Sequence, residues 1–123
     1  MKLRGPQDAP QRPPAGVLKG VTAARAAQAR IGGTALVLAE FDPAADFTGK
    51  ILVTRQTDPG WTIVFPLLKG IIVERGGMLS HAAIVARELR IPCIVGVDRA
   101  VAGVPPGSAV EMHLDTGEVH VRK

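Results

Sequence analysis

Three short apolar runs constrain this chain most: ILVT at residues 51–54, IIVE at 71–74 and CIVGV at 93–97. Each is rich in β-branched side chains and too short for a core helix, so each reads as a strand buried on both faces. Helical patterns separate them. In Thr57-Asp58-Pro59-Gly60-Trp61 a capping side chain precedes a proline at the first helical position, where a missing N–H costs nothing. That helix is expected to run through Trp61, Val64 and Phe65 toward Leu68, shortened or kinked by Pro66. A second helix is expected from His81 to about Arg90, with Ala82, Val85, Ala86 and Leu89 on one face, stopped by Ile91-Pro92. Buried strands alternating with helices imply parallel βαβ units and a layered α/β core.

The flanks are less regular. Residues 1–16 carry Pro6, Pro10, Pro13 and Pro14 with few apolar residues and read as a flexible tail or linker, leaving 17–123 as the folded domain. Residues 17–21 suit a short strand. The alanine-rich stretch 22–30 suits a helical turn or an irregular excursion, ended by Gly32-Gly33, and 34–40 suits a strand. Residues 100–107 read as a loop. Beyond it, 109–114 and 118–122 alternate in polarity about Asp115-Thr116-Gly117, the pattern of a closing hairpin.

Composition removes several functional classes. The 15 basic and 11 acidic residues give a net charge of +4, but the basic residues are scattered without aromatic interleaving, so a nucleic-acid face is not expected. No apolar run approaches a membrane span and the N-terminus has no signal-peptide pattern, so a cytoplasmic location is expected. The single cysteine, Cys93, lies inside a strand pattern and reads as a buried, inert thiol. His113 and His120 fall on the polar faces of the hairpin, and no C-x-x-C or H-E-x-x-H spacing occurs, so no metal site is expected. A serine-hydrolase elbow, a dinucleotide fingerprint and a Walker loop are all missing from the pattern.

The chemistry that remains centres on GGMLSHAAIVARELRIPCIVGV, residues 76–97. A glycine turn, Ser80 and then a helix put the His81 imidazole at a helix N-terminus, where free N–H groups and the helix dipole favour an anion. Position alone leaves two readings open. His81 is either a structural histidine beside a helix cap or a neutral imidazole nucleophile poised next to a phosphate.

The wider sequence decides between them. Gly76-Gly77-Met78-Leu79-Ser80-His81-Ala82-Ala83-Ile84-Val85-Ala86-Arg87-Glu88, followed by Ile91-Pro92 and Val95-Gly96, resembles the phosphohistidine (mobile, swivelling) domain of the PEP-utilising enzymes. That family includes PEP synthase, pyruvate phosphate dikinase, enzyme I and rifampin phosphotransferase. The resemblance extends upstream through Gly49, Ile51–Val53, Thr57–Trp61 and Ile72-Val73, and downstream through Gly107, Val110 and 117–119, covering about residues 17–121.

The resemblance implies a layered β/β/α swivelling domain with the closing hairpin. It implies that His81 is transiently phosphorylated, with Gly76, Gly77, Ser80, Thr57, Asp58 and Arg75 as supporting candidates. Thr57 and Asp58 read equally as a helix cap alone. Arg87, well off the His81 face of its helix, is expected in a structural ion pair. The Thr-Asp-Pro-Gly-Trp wording is nearer to PEP synthase and rifampin phosphotransferase, which implies ATP as the phosphate source. No cofactor is expected on the domain itself; ATP and Mg²⁺ belong to an ATP-grasp-type partner domain or subunit, and the acceptor (pyruvate or another small molecule) to a further one. Leu79 stands where the family often has Thr, removing one hydroxyl. The competing reading is a non-catalytic interaction module that keeps the fold.

Overall fold

A computed structural model of the protein describes residues 16–122. The proline-rich stretch read as a tail therefore lies, Gly16 excepted, outside the described residues. The elements are β1 (Val17–Lys19), β2 (Val21–Ala24), β3 (Arg30–Val37), β4 (Ile51–Thr54), a 3₁₀ helix (Pro59–Leu67), β5 (Gly70–Val73), α1 (His81–Leu89), β6 (Cys93–Val95), α2 (Ala100–Gly103), β7 (Ala109–His113) and β8 (Glu118–Arg122).

The strands follow the order β1-β8-β7-β3-β4-β5-β6-β2. From β3 to β6 neighbouring strands are parallel, as the three buried runs imply, and β2 closes that edge antiparallel to β6. Strand β3 belongs to both halves. Arg30 to Thr34 pair antiparallel with β7, whereas Ala35 to Val37 pair parallel with β4, so the sheet folds over along this strand.

Period-two alternation then sorts the buried strands into two cores. Leu52, Ile71, Val73, Cys93 and Val95 face a layer made by α1 and the 3₁₀ helix, where Trp61, Phe65, Ala82, Ala83 and Ala86 join them. Ile51, Val53, Ile72 and Ile94 face the other way, onto Val110, Met112, Leu114 and Val119 of the antiparallel half and Ala100 and Val104 at α2. Helix, sheet and sheet form the expected β/β/α layers, and the β7–β8 hairpin closes the outer one.

Local departures from the sequence reading have physical causes. Residues 21–24 are a strand, because pairing with β6 and burial of Ala23 and Ala24 beneath α1 override the helix propensity of an alanine run. Gly20 separates β1 from β2: a Cβ there would fall 2.4 Å from the Val95 carbonyl oxygen. Gly32 and Gly33, expected to end a helical turn or irregular excursion, instead lie inside β3. The strand expected to reach residue 40 stops at Val37, and α2 occupies part of the stretch read as a loop. The helix after Thr57 is 3₁₀, with Asp58 as its cap accepting from the Gly60 N–H at 2.8 Å and Pro59 in its first turn. Helix α1 ends at Arg90 in the left-handed conformation (φ 61°), whose N–H reaches the carbonyls of Ala86 and Arg87. Among the described residues no helix is long and apolar enough to cross a membrane.

Candidate active site at His81

The loop from β5 to α1 is built to deliver one side chain. Glu74 and Arg75 extend the parallel pairing through N–H bonds to the Thr54 and Arg55 carbonyls, and the chain then turns at Gly76 with φ at 96°. A Cβ on Gly76 would meet the Ser80 Cβ at 2.8 Å, so this position requires glycine for space as well as for conformation. Ser80 is the N-cap of α1. Its Oγ donates to the Gly77 carbonyl at 2.8 Å and accepts, at a long 3.4 Å, from the Ala83 N–H. His81 is thereby the first residue of α1 and is half-buried.

Both imidazole nitrogens have a hydroxyl neighbour. Thr57 Oγ1 lies 2.9 Å from Nδ1 and Thr62 Oγ1 lies 3.3 Å from Nε2. The Phe65 ring packs edge-on at 6.0 Å between centroids. All three residues come from the stretch that leads into and forms the 3₁₀ helix, which packs directly on α1. In a 3₁₀ helix, residues three apart stack on one face, and Thr62 and Phe65 share the side toward His81 for that reason.

The remaining sequence candidates separate. Thr57 joins His81, while the neighbouring Asp58 carboxylate is used to cap the 3₁₀ helix. Gly76 is sterically required, whereas a Cβ on Gly77 would meet nothing within 4 Å. Arg75 is exposed and, among the described residues, its guanidinium enters no hydrogen bond with the His81 cluster. Arg87 makes no ion pair among the described residues. It donates instead to two backbone carbonyls, Ala23 at 3.3 Å and Met78, and so ties the loop before His81 to β2. Leu79 is 84% exposed beside the cap. Thr62 is not among the sequence candidates, because its contact with His81 depends on how the 3₁₀ helix packs against α1, a tertiary relationship that local pattern does not give. Cys93 lies fully buried behind α1, and that burial pushes its thiol up to about 12, consistent with an inert side chain.

Residues 47–117, more than half of the chain, match the family described as PEP-utilising enzyme, mobile domain. The chain is 38% identical over 91 residues to the rifampicin phosphotransferase of Bacillus cereus, covering 74% of this chain and 10% of that protein. It is 44% identical over 87 residues to the phosphoenolpyruvate synthase of Aquifex aeolicus, covering 70% of this chain and 10% of that one. It thus spans about a tenth of the length of these relatives. Among solved structures, Enzyme I (nEIt) matches with a TM-score of 0.54 and 30% identity, over 61% of this chain and 31% of that one. Aconitase X from Thermococcus kodakaraensis matches at 0.64 and 23% identity, over 87% of this chain and 98% of that one, a likeness of fold alone. A glycine turn, a capped helix and a histidine at its first residue thus sit in a fold and a sequence shared with phosphotransferases, and the chain belongs to the PEP-utilising enzymes as their mobile domain.

Proposed function

We propose that His81 is the phosphoryl carrier of this domain and that Nε2 is the atom that carries. The observation behind this is the 2.9 Å approach of Thr57 Oγ1 to Nδ1. With the Nδ1 proton donated to that oxygen, the imidazole keeps its lone pair on Nε2, the nitrogen on the Thr62 side. In the first half-reaction this lone pair forms the N–P bond to the β-phosphorus of ATP. The bond from that phosphorus to the oxygen shared with the α-phosphate breaks, that oxygen leaving on AMP with the bonding electrons. Hydrolysis of the remaining P–O–P link then releases the γ-phosphate as inorganic phosphate and leaves one phosphoryl group on Nε2. In the second half, an acceptor oxygen attacks phosphorus and the N–P bond breaks, returning the lone pair to Nε2.

The surroundings suit an anionic adduct. The phosphoryl group would sit at the N-terminus of α1, where the helix dipole contributes about 0.3–1 kcal/mol. Thr62, which contacts the neutral ring through Nε2, would turn its hydroxyl to a phosphoryl oxygen. It would thus supply the hydroxyl that Leu79 lacks. Phe65 packs edge-on against the ring.

The relatives are a rifampicin phosphotransferase and a PEP synthase. By that kinship the donor is ATP held with Mg²⁺ by an ATP-grasp-type partner domain or subunit, and the acceptor binds on another. The test supplies such a partner with ATP labelled at the β- or the γ-phosphate, with labelled PEP as a third arm. Acid-labile label on this chain from β-labelled ATP supports the reading. Label from PEP alone would reverse the donor, and no label from any source would favour an interaction module.

A further inference from the structure

We propose that the outer face of the β7–β8 hairpin binds a divalent cation of the zinc class through His113, His120 and Glu118. This site is independent of the reading of His81. The strand register places Glu111 opposite His120 and His113 opposite Glu118. All four side chains leave the same face of the sheet, while Val110, Met112, Leu114 and Val119 fill the core on the other. The two imidazoles lie diagonally across the strands and stack, with centroids 3.8 Å apart and planes 9° from parallel. One ligand atom from each of His113, Glu118 and His120 falls within 4.8 Å of the other two.

Three properties make this a cation site in waiting. The first is the donor set: two imidazole nitrogens and a carboxylate oxygen suit zinc, nickel or copper and leave a fourth position for water. Prior placement is the second. His113 is buried and His120 half-buried, so little side-chain freedom remains to be lost. The third is the supporting shell, in which Glu111 holds His113 Nε2 at 2.8 Å and is itself contacted by Arg122 at 3.5 Å. Metal–nitrogen bonds of about 2.0–2.1 Å place tetrahedral donors about 3.4 Å apart. The three donor atoms already lie within 4.8 Å of one another, so each pair has at most about 1.4 Å to close to reach that spacing. Lys19, paired with Glu118, opposes the cation, so micromolar rather than tighter binding is expected. Linear spacing argued against a metal because the ligands come from two strands and meet only through the hairpin register.

The test titrates Zn²⁺ into the full chain by calorimetry, alongside imidazole nitrogen NMR spectra of the same samples. Expected are one equivalent bound, ring signals of His113 and His120 that shift while those of His81 do not, and binding retained in His81→Ala. Binding should weaken at least tenfold in both His120→Gln and Glu118→Gln. No heat at millimolar zinc, shifts confined to His81, or variants that are folded by circular dichroism and bind like wild type would overturn the site. Should either variant fail to fold, the wild-type NMR shifts decide by themselves.

Discussion

Thr57 and His81, 24 residues apart in the chain, meet through Oγ1 and Nδ1 at 2.9 Å. The contact joins the end of the β4 loop to the first residue of α1, and in the proposed mechanism it selects the reacting nitrogen. Thr57→Val keeps the shape and removes the acceptor. Losing one partly buried hydrogen bond of about 0.5–1.5 kcal/mol should lower the rate of His81 phosphorylation roughly 2- to 10-fold. Thr57→Ser should restore most of it. Single-turnover labelling checks both, and an unchanged rate in Thr57→Val would remove Thr57 from the mechanism.

The two glycines before Ser80 should behave differently. Gly76 has a left-handed φ of 96° and no room for a Cβ beside Ser80, whereas a Cβ on Gly77 meets open space. Gly76→Ala should cost about 1–3 kcal/mol through backbone strain and damage to the cap. Gly77→Ala should stay within about 0.5 kcal/mol. Urea denaturation midpoints compare them directly.

Much of this arrangement is legible in the sequence, and what is not has a common cause. The apolar runs at 51–54, 71–74 and 93–97 reveal their strands because strands buried on both faces are apolar almost throughout, the buried Thr54 being an exception. Ser80 and Asp58 disclose their helix starts because capping is chemistry within a few residues. Ala23 and Ala24 mislead, because their strand exists only through pairing with β6. Thr62 is hidden because it reaches His81 only through the packing of the 3₁₀ helix on α1, and Arg87 by finding its acceptors on backbone carbonyls. The stacking of His113 on His120 follows from hairpin register, which alternation indicates but does not fix.

Cys93 gives a pH dependence of definite sign. Burial raises its thiol from an ordinary 9.0 to about 12, so the folded state favours the protonated form. This contribution to stability is fully present below pH 9 and is lost as pH rises from there toward 12. Denaturation midpoints should therefore fall more steeply over that window in wild type than in Cys93→Ala. In the same samples a thiol reagent at neutral pH should label Cys93 only after unfolding. Equal slopes, or rapid labelling of the folded chain, would contradict the burial.

Thr54 ends β4 fully buried, and its Oγ1 has no hydrogen-bond partner among the described residues. Thr54→Val replaces that hydroxyl with a methyl of similar volume. The variant should be about 1 kcal/mol more stable, since it removes an uncompensated desolvation. Thermal denaturation gives the sign, and a clear loss of stability would mean that Oγ1 has a partner after all.

The central claim is that one atom, Nε2 of His81, carries the phosphoryl group. Its most direct test is to phosphorylate the chain with a nucleotide-binding partner and ATP, then locate the phosphate by fragmentation mass spectrometry and imidazole nitrogen NMR. The account predicts phosphate on Nε2 of His81, with a proton retained on Nδ1 beside Thr57 and no phosphate in His81→Ala. Phosphate on another residue, on Nδ1, or persisting in His81→Ala would contradict it.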